Sequence, residues 1–274
     1  MILRLPFRHI SLAQIGFDQR DLQMMTSILK MNMVDKYLGS SLGLLWALLS
    51  PLLLMGIFVF VFTYVFPGRL PGREGSLPFI IWLLSGYAPW LAISEGIGNS
   101  TGSVIGNAGV VKNIAFKSEI LPIVGALMGL VPALVGLVVI VILQIVGGEK
   151  LSLAMLFIPV VLALLLFFVA GLGLFLSALN VFVRDTALLL PSVLTAILFA
   201  SPIFYAVTAY PPGVQPFIIF NPFYVIAECF RVPILNGTLP PLWMLIYVFC
   251  LSCVLFVAGL WWFRRLKTFF DTRL

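Results

Sequence analysis

Few residues in this chain have a type and spacing that could do covalent chemistry. Cys250 and Cys253 form a C-x-x-C, the spacing of a redox or metal pair. They sit inside an apolar run, where small apolar residues on a membrane helix are the better reading. Cys229 stands alone, and His9, the single histidine, cannot make a metal site by itself. The G-x-x-x-x-G-K-S/T phosphate loop is missing, so the chain is not expected to hydrolyse ATP by itself. No H-E-x-x-H, G-x-S-x-G or clustered carboxylates occur, so no catalytic residue, metal ligand or cofactor site is assigned. Only Glu95 among the acids falls at membrane depth. A hydrogen bond to a neighbouring helix end is favoured there over ion coupling, which usually needs several ionisable residues inside the spans.

What remains is recognition and coupling chemistry. The stripe Trp46, Ser50, Leu53, Ile57, Phe60, Tyr64 steps by four and three along one helix face. With Trp82, Tyr87, Trp90 and Phe199 it could line a channel, because flat aromatic faces slide past sugar rings without trapping them. For any one of these residues, core or lipid packing is the stronger competing reading. The stretch Asn99–Pro122 opens with small polar residues and continues through Val110, Val111, Ile114 and Phe116 with Lys112, Lys117 and Glu119. It reads as an amphipathic hairpin or short helix at a membrane face, its centre Asn107–Lys117 open to a partner. Asn107, Val111, Lys112, Ile114 and Lys117 are its candidate coupling residues.

These residues need a membrane scaffold. The chain is 62% hydrophobic and only 9% charged, against about a quarter charged in soluble domains, which marks an all-α polytopic membrane protein. At roughly 20 apolar residues per span, 274 residues fit about six. The spans are read at about 41–66, 78–97, 121–146, 153–179, 187–207 and 243–263, in a single domain covering 1–274. Residues 21–36 read as an amphipathic interfacial helix, with Leu22, Met25, Leu29 and Met33 on one face. Gly125 and Gly129 make a G-x-x-x-G, and Gly173 with Ser177 a second small pair, both favouring close helix contact. The opening MILRLPFRHI lacks a signal-peptide core, so a retained N-terminus is expected.

With six spans both termini share a side. Of the 16 basic residues only Arg69, Arg73, Lys150 and Arg231 fall on the other one. The positive-inside rule then puts the termini and the 99–122 hairpin in the cytoplasm, and it explains the net charge of +6 without nucleic acid. Residues 210–241 are apolar but broken by Pro211, Pro212, Pro216, Pro222, Pro233, Pro240 and Pro241. Two short segments that dip into the membrane and return fit better than a span. Pro222 suits the first turn of a helix capped by Asn221, with Glu228 and Arg231 paired at i, i+3 at a wet end.

Several stretches together resemble the polysaccharide-exporting ABC transporter permeases. They are Lys36-Tyr37 with Ser41–Leu52, Pro89-Trp90, Ser94-Glu95, Asn99-Ser100, Val111–Asn113, Ser177–Asp185, Ser201–Tyr205 and Asn221–Phe223. The likeness is nearest to the O-antigen permeases (Wzm type), with the capsule and teichoic-acid (TagG type) permeases close by. It implies a homodimer with a channel along its axis, and a lipid-linked polysaccharide as cargo. It also implies two separate ATPase subunits that bind ATP and Mg on the cytoplasmic side of the bacterial inner membrane. In such a permease Lys30, Lys36 and Arg184 would attract the phosphate head group. Pro222, Phe223, Tyr224, Glu228 and Arg231 would form the outer gate. Leu38-Gly39 stand where the family often has basic residues. Two other readings compete: a permease of the same architecture for a drug or small lipid, and an integral-membrane transferase, which lacks its acid or histidine cluster.

Overall fold

A computed structural model describes residues 18–38, 41–65, 76–113, 116–149 and 151–274. The described residues form helices and turns, with no strand among them. In order these are α1 (Gln19–Leu38), α2 (Trp46–Phe60), α3 (Leu77–Gly106), α4 (Ala108–Asn113), α5 (Ile120–Val146), α6 (Ile158–Phe182), α7 (Asp185–Ala200), α8 (Gln215–Ile218), α9 (Pro222–Arg231) and α10 (Leu242–Lys267). Among the described residues, five helical runs are long and apolar enough to cross a membrane: Gly43–Val65, Leu77–Gly106, Ile120–Val146, Leu153–Phe182 and Leu242–Lys267. Each overlaps an expected span, and Leu77–Gly106 runs well past the expected 78–97. The remaining one, expected at 187–207, stops at Ala200 after 16 residues. Pro202 explains the stop: the residue before a proline is pushed out of the helical region, and Ser201 is extended at φ −103°, ψ 145°.

The central helix is α3, whose apolar window is 72% buried against 11% for the run that contains α2. Helices α5, α6, α7 and α9 surround it. Small residues set the spacing. Ala92, Gly96 and Ser100 recur every four residues on α3 and meet Gly129 and Gly125 of α5. A Cβ on Gly129 would stand 2.5 Å from the Ala92 carbonyl oxygen, and one on Gly125 2.5 Å from the Ser100 nitrogen. The G-x-x-x-G therefore brings backbones together as expected. Across α3, Ser100 also faces Gly173 of α6, and Gly171 of α6 packs on Gly259 of α10.

The long α3 overturns one expectation. Residues 99–106 are not the start of a hairpin but the last two turns of α3, and Ser100, Thr101 and Ser103 are buried. Their hydroxyls are satisfied within the bundle: Thr101 donates to the Ile97 carbonyl, Ser103 to Ser100, and Ser100 to Pro122 of α5 at 2.7 Å. Small polar residues that would serve a loop here let three helices touch. The hairpin is thus shorter, from Asn107 to Glu119. Helix α1 lies on the start of α5 through Ile28, which packs with Ile120, Leu121 and Val124.

Candidate functional site

At the basic end of the bundle the return limb of the hairpin joins the two ends of the described chain. Lys117 binds Asp21 of α1 at 2.5 Å. Two residues on, Glu119 accepts from Arg264 at 2.9 Å and Lys267 at 3.1 Å, both on α10. Beyond α10, Phe270 is buried against Phe263, so the C-terminal tail also closes on this knot. Burial alone would raise the Glu119 carboxyl. A bond from its own backbone N–H and the charges of Lys267 and Arg264 outweigh it and hold the carboxyl below its ordinary 4.5. A depressed carboxylate contributes stability that is complete above about 4.5 and disappears as pH falls through the folded value. Thermal melts of the detergent-solubilised protein should therefore lose stability below about pH 4.5, and Glu119→Gln should flatten that slope.

The structure sorts the expected coupling residues. Asn107 is half-buried and donates from its Nδ2 to the Ser103 carbonyl at 2.8 Å. Val111 packs into the protein itself, touching both the Ile28–Val124 cluster and the Val104–Phe263–Phe270 cluster. It is half-buried, with part of its surface packed toward α1 and the C-terminal tail. Lys112 is exposed, and Lys117 is tied to Asp21. Ile114 lies outside the described residues.

Of the three expected head-group cations, Lys30 and Arg184 are exposed, on α1 and just before α7. Lys36 is bound to Glu95 of α3, so Glu95 serves a helix-to-helix contact, and it also accepts from Asn99. Ser94 and Glu95 border two grooves on either side of α3. One, about 450 Å³, runs between α3 and α7 past Trp90, Thr101 and Thr195. The other, about 380 Å³, lies under the α1–α2 turn and holds Lys36, Tyr37, Trp46, Ser50 and Tyr87.

The seven expected channel aromatics divide. Trp46, Phe60, Tyr64 and Phe199 are exposed on α2, the turn after it and α7. Tyr87 and Trp90 are buried, and Trp82 is half-buried. Tyr87 joins Phe58 and Phe204 at 4.8 and 5.4 Å, an aromatic cluster that welds α2, α3 and the turn after α7. These three belong to the protomer's core, although Tyr87 and Trp90 keep an edge on the grooves.

At the opposite end the Asn221 cap is as expected: its Oδ1 accepts from the Phe223 and Tyr224 amides at 2.9 and 3.4 Å, with Pro222 in the first turn. Phe223 packs inward, edge to face with Trp90 at 5.6 Å and Phe168 at 5.9 Å. Tyr224 is half-buried. The expected wet pair is not wet. Arg231 is 2% exposed, with Glu228 at 2.9 Å. Its guanidinium lies 4.1 Å over the Trp82 ring. It donates to the Trp82 carbonyl at 3.3 Å, to Pro202 at 3.2 Å and to Ile203. Gly86 makes the room, since a Cβ there would stand 2.2 Å from Nη2. The i, i+3 spacing marks the pair but not its burial, because Trp82 and Pro202 are distant in sequence.

A second staple escaped sequence reasoning. Asn180, buried near the end of α6, donates to the Thr101 carbonyl at 3.0 Å and accepts from the Ala187 amide at 3.2 Å. It fixes the sharp α6–α7 connection to α3.

Residues 24–235 match the ABC-2 type transporter family. The chain belongs to that family. As an ABC-2 transporter chain with several apolar helices of spanning length, it is a multi-pass protein of the inner membrane. The match runs from α1 to the turn after α9, so the hairpin, both grooves and the Arg231 site lie within it. Among curated relatives, an O-antigen export system permease protein RfbA of Klebsiella pneumoniae is 28% identical over 233 residues, covering 85% of this chain and 87% of the relative. A second protein of that name from Klebsiella pneumoniae is 27% identical over the same shares. One from Myxococcus xanthus is 25% identical over 66% of this ABC-2 chain and 68% of its own.

Proposed function

We propose that this chain is the channel-forming permease subunit of an ABC transporter that exports lipid-linked polysaccharide, of O-antigen type, across the cytoplasmic membrane. The observation that carries this reading is the near full-length similarity to relatives named O-antigen export system permeases. Two copies form the channel, and two separate ATPase subunits bind ATP and Mg and drive export. Helix α7 with the chain after it makes the sixth span, and both termini face the cytoplasm, where the basic residues gather. The exposed aromatics Trp46, Phe60, Tyr64 and Phe199 offer the cargo flat apolar faces. Lys30 and Arg184 draw in the phosphate, and Lys36 exchanges Glu95 for it. Helix α9 closes the outer mouth, held by the buried Arg231.

The ATPase meets the short hairpin at α4. Its motion reaches α1 through Lys117–Asp21 and α10 through Glu119–Arg264 and Glu119–Lys267. Lys112, exposed at the end of α4, is therefore expected to be the coupling contact. Lys112→Glu should leave the permease folded and lower substrate-stimulated ATP hydrolysis by roughly tenfold, as for removal of one charged contact at an interface. Val111→Asp should lower thermal stability as well, because half-buried Val111 packs against two apolar clusters. Steady-state ATPase rates and melting curves of the two variants separate these effects.

A deletion strain tests the reading as a whole. It should accumulate finished lipid-linked polysaccharide on the cytoplasmic side and display none, with both restored by the intact gene. Normal surface display in the deletion strain would refute the assignment.

A further inference from the structure

The groove between α3 and α7 differs from its neighbour across Glu95 in what it offers a ligand. At about 450 Å³ it has the volume of a small-molecule cleft. Among the described residues no lysine, arginine or histidine lines it. Glu95 is the one charged residue on its walls and is balanced by Lys36. Arg184 and Asp185, at the start of α7, are exposed and of opposite sign. The groove therefore has no net charge with which to select an anion or a cation.

Its polar atoms are almost all hydrogen-bond acceptors. The three hydroxyls on its walls each donate to a carbonyl of their own helix: Ser94 to Leu91 at 3.3 Å, Thr101 to Ile97 at 2.8 Å and Thr195 to Pro191 at 2.8 Å. Thr101 is buried, so the oxygen lone pairs of Ser94 and Thr195 are the ones within reach. Pro191 supplies a further acceptor. An α-helix bonds each amide to the carbonyl four residues back, and proline has no amide N–H, so the Ala187 carbonyl is left without its helical partner. Ala187, Pro191 and Thr195 all border the groove. The side-chain donor on its walls that is still open is Trp90, 4% exposed, whose indole N–H meets no acceptor among the described residues.

Two glycines leave the α3 wall open. Gly98 and Gly102 lie one turn apart on the groove side, both exposed, and a Cβ on either would meet nothing within 4 Å. Gly125 and Gly129 are required by helix contact, but no described part of the chain takes up the space beside Gly98 and Gly102. Glycine weakens a helix interior, and what it leaves at this wall is room for a ligand.

A neutral ligand rich in hydroxyl donors fits a net-neutral groove of acceptors, whereas a phosphate, whose own oxygens accept, does not. We infer that this groove is the subsite that takes the sugar hydroxyls of the cargo, through the Ala187 carbonyl, Thr195 Oγ1 and Ser94 Oγ. The inference rests on the reading of the cargo as a lipid-linked polysaccharide and names where its sugar chain is held.

The test is ATP hydrolysis by the permease–ATPase complex in nanodiscs, titrated with the lipid-linked polysaccharide that the deletion strain accumulates. The same lipid phosphate stripped of its sugar chain serves as competitor. Thr195→Val removes an acceptor at nearly constant volume, and Pro191→Ala returns an amide to the Ala187 carbonyl. Each should raise the half-saturating polysaccharide concentration about fivefold, the worth of one hydrogen bond, and leave the competitor's inhibition constant unchanged. Gly102→Leu should fill the groove and abolish stimulation. Pro191→Ala should melt higher than wild type, because it removes a helix breaker, so its weaker response would not come from unfolding. Wild-type half-saturation in both Thr195→Val and Pro191→Ala would overturn the inference and leave the export reading standing. Equal loss toward the competitor would also overturn it, assigning the groove to the phosphate, as would a dimer that falls apart in Gly102→Leu, assigning it to the second copy. A wild-type complex that the polysaccharide does not stimulate at all would overturn both.

Discussion

Arg231→Met is expected to destabilise the protein by about 3–5 kcal/mol, the cost of breaking a buried ionic network by removing one partner. The side chain it replaces is buried and holds α9 to three carbonyls and one aromatic face. Methionine fills much of the space but leaves the Pro202 and Ile203 carbonyls without this donor and Glu228 without its cation. Lysine is not a substitute: an ammonium cannot span the carbonyls in the guanidinium plane or stack on Trp82 in the same way. Arg231→Lys should therefore recover only part of the loss. Glu228→Gln keeps an acceptor oxygen but leaves the buried cation without its charge partner, and should cost about 1–3 kcal/mol. Melting curves in detergent rank the three variants. Solute leak through liposomes without ATP then reports whether a loosened α9 also opens the outer mouth. A series in which Arg231→Met melts like wild type would contradict the described contacts.

Gly129→Leu should be the second large loss, because it acts where two backbones touch. The new side chain would start 2.5 Å from the Ala92 carbonyl oxygen and the Gly96 nitrogen. Neither can swing away as a side-chain end would, so α3 and α5 must separate. Overpacking of this kind costs about 1–3 kcal/mol and occasionally more, and a backbone clash belongs at or above the top of that range. Gly56→Ala on α2, where nothing lies within 4 Å of a Cβ, is the matched control and should hold or slightly gain stability. The pair is compared by thermal melting and by yield of monodisperse protein. Equal behaviour would show that the α3–α5 seam is not the tight one.

Local rules read well from the sequence. Asn221 and Pro222 announce their helix start because cap and first turn are set by adjacent residues. Gly125 and Gly129 announce a close helix contact because their spacing alone presents one small face. Non-local facts read poorly. Ser100, Thr101 and Ser103 carry the composition of a loop, and only the presence of Gly125, Gly173 and Pro122 beside them makes that same composition a helix seam. Glu228 and Arg231 look like a solvated pair until Trp82 and Pro202 close over Arg231, while Glu228 stays half-buried. The intramolecular neighbours of half-buried Val111, on α1 and in the tail at Phe270, lie far away in sequence and leave no local mark. The aromatic stripe divided for the same reason: periodicity identifies a face, but the neighbours of Tyr87 and Trp90 decide which faces are buried.

In the proposed function this chain passes a lipid-linked polysaccharide outward through a dimer driven by a separate ATPase. The most direct measurement uses proteoliposomes that contain the permease and its ATPase with the nucleotide site outside. Lipid-linked O-polysaccharide is supplied in the outer leaflet, and a membrane-impermeant glycosidase degrades whatever stays exposed. ATP and Mg should render the polysaccharide protected within the lumen, a non-hydrolysable nucleotide should not, and Lys112→Glu should reduce protection along with ATP hydrolysis. Polysaccharide that stays fully digestible while the wild-type complex hydrolyses ATP would contradict it.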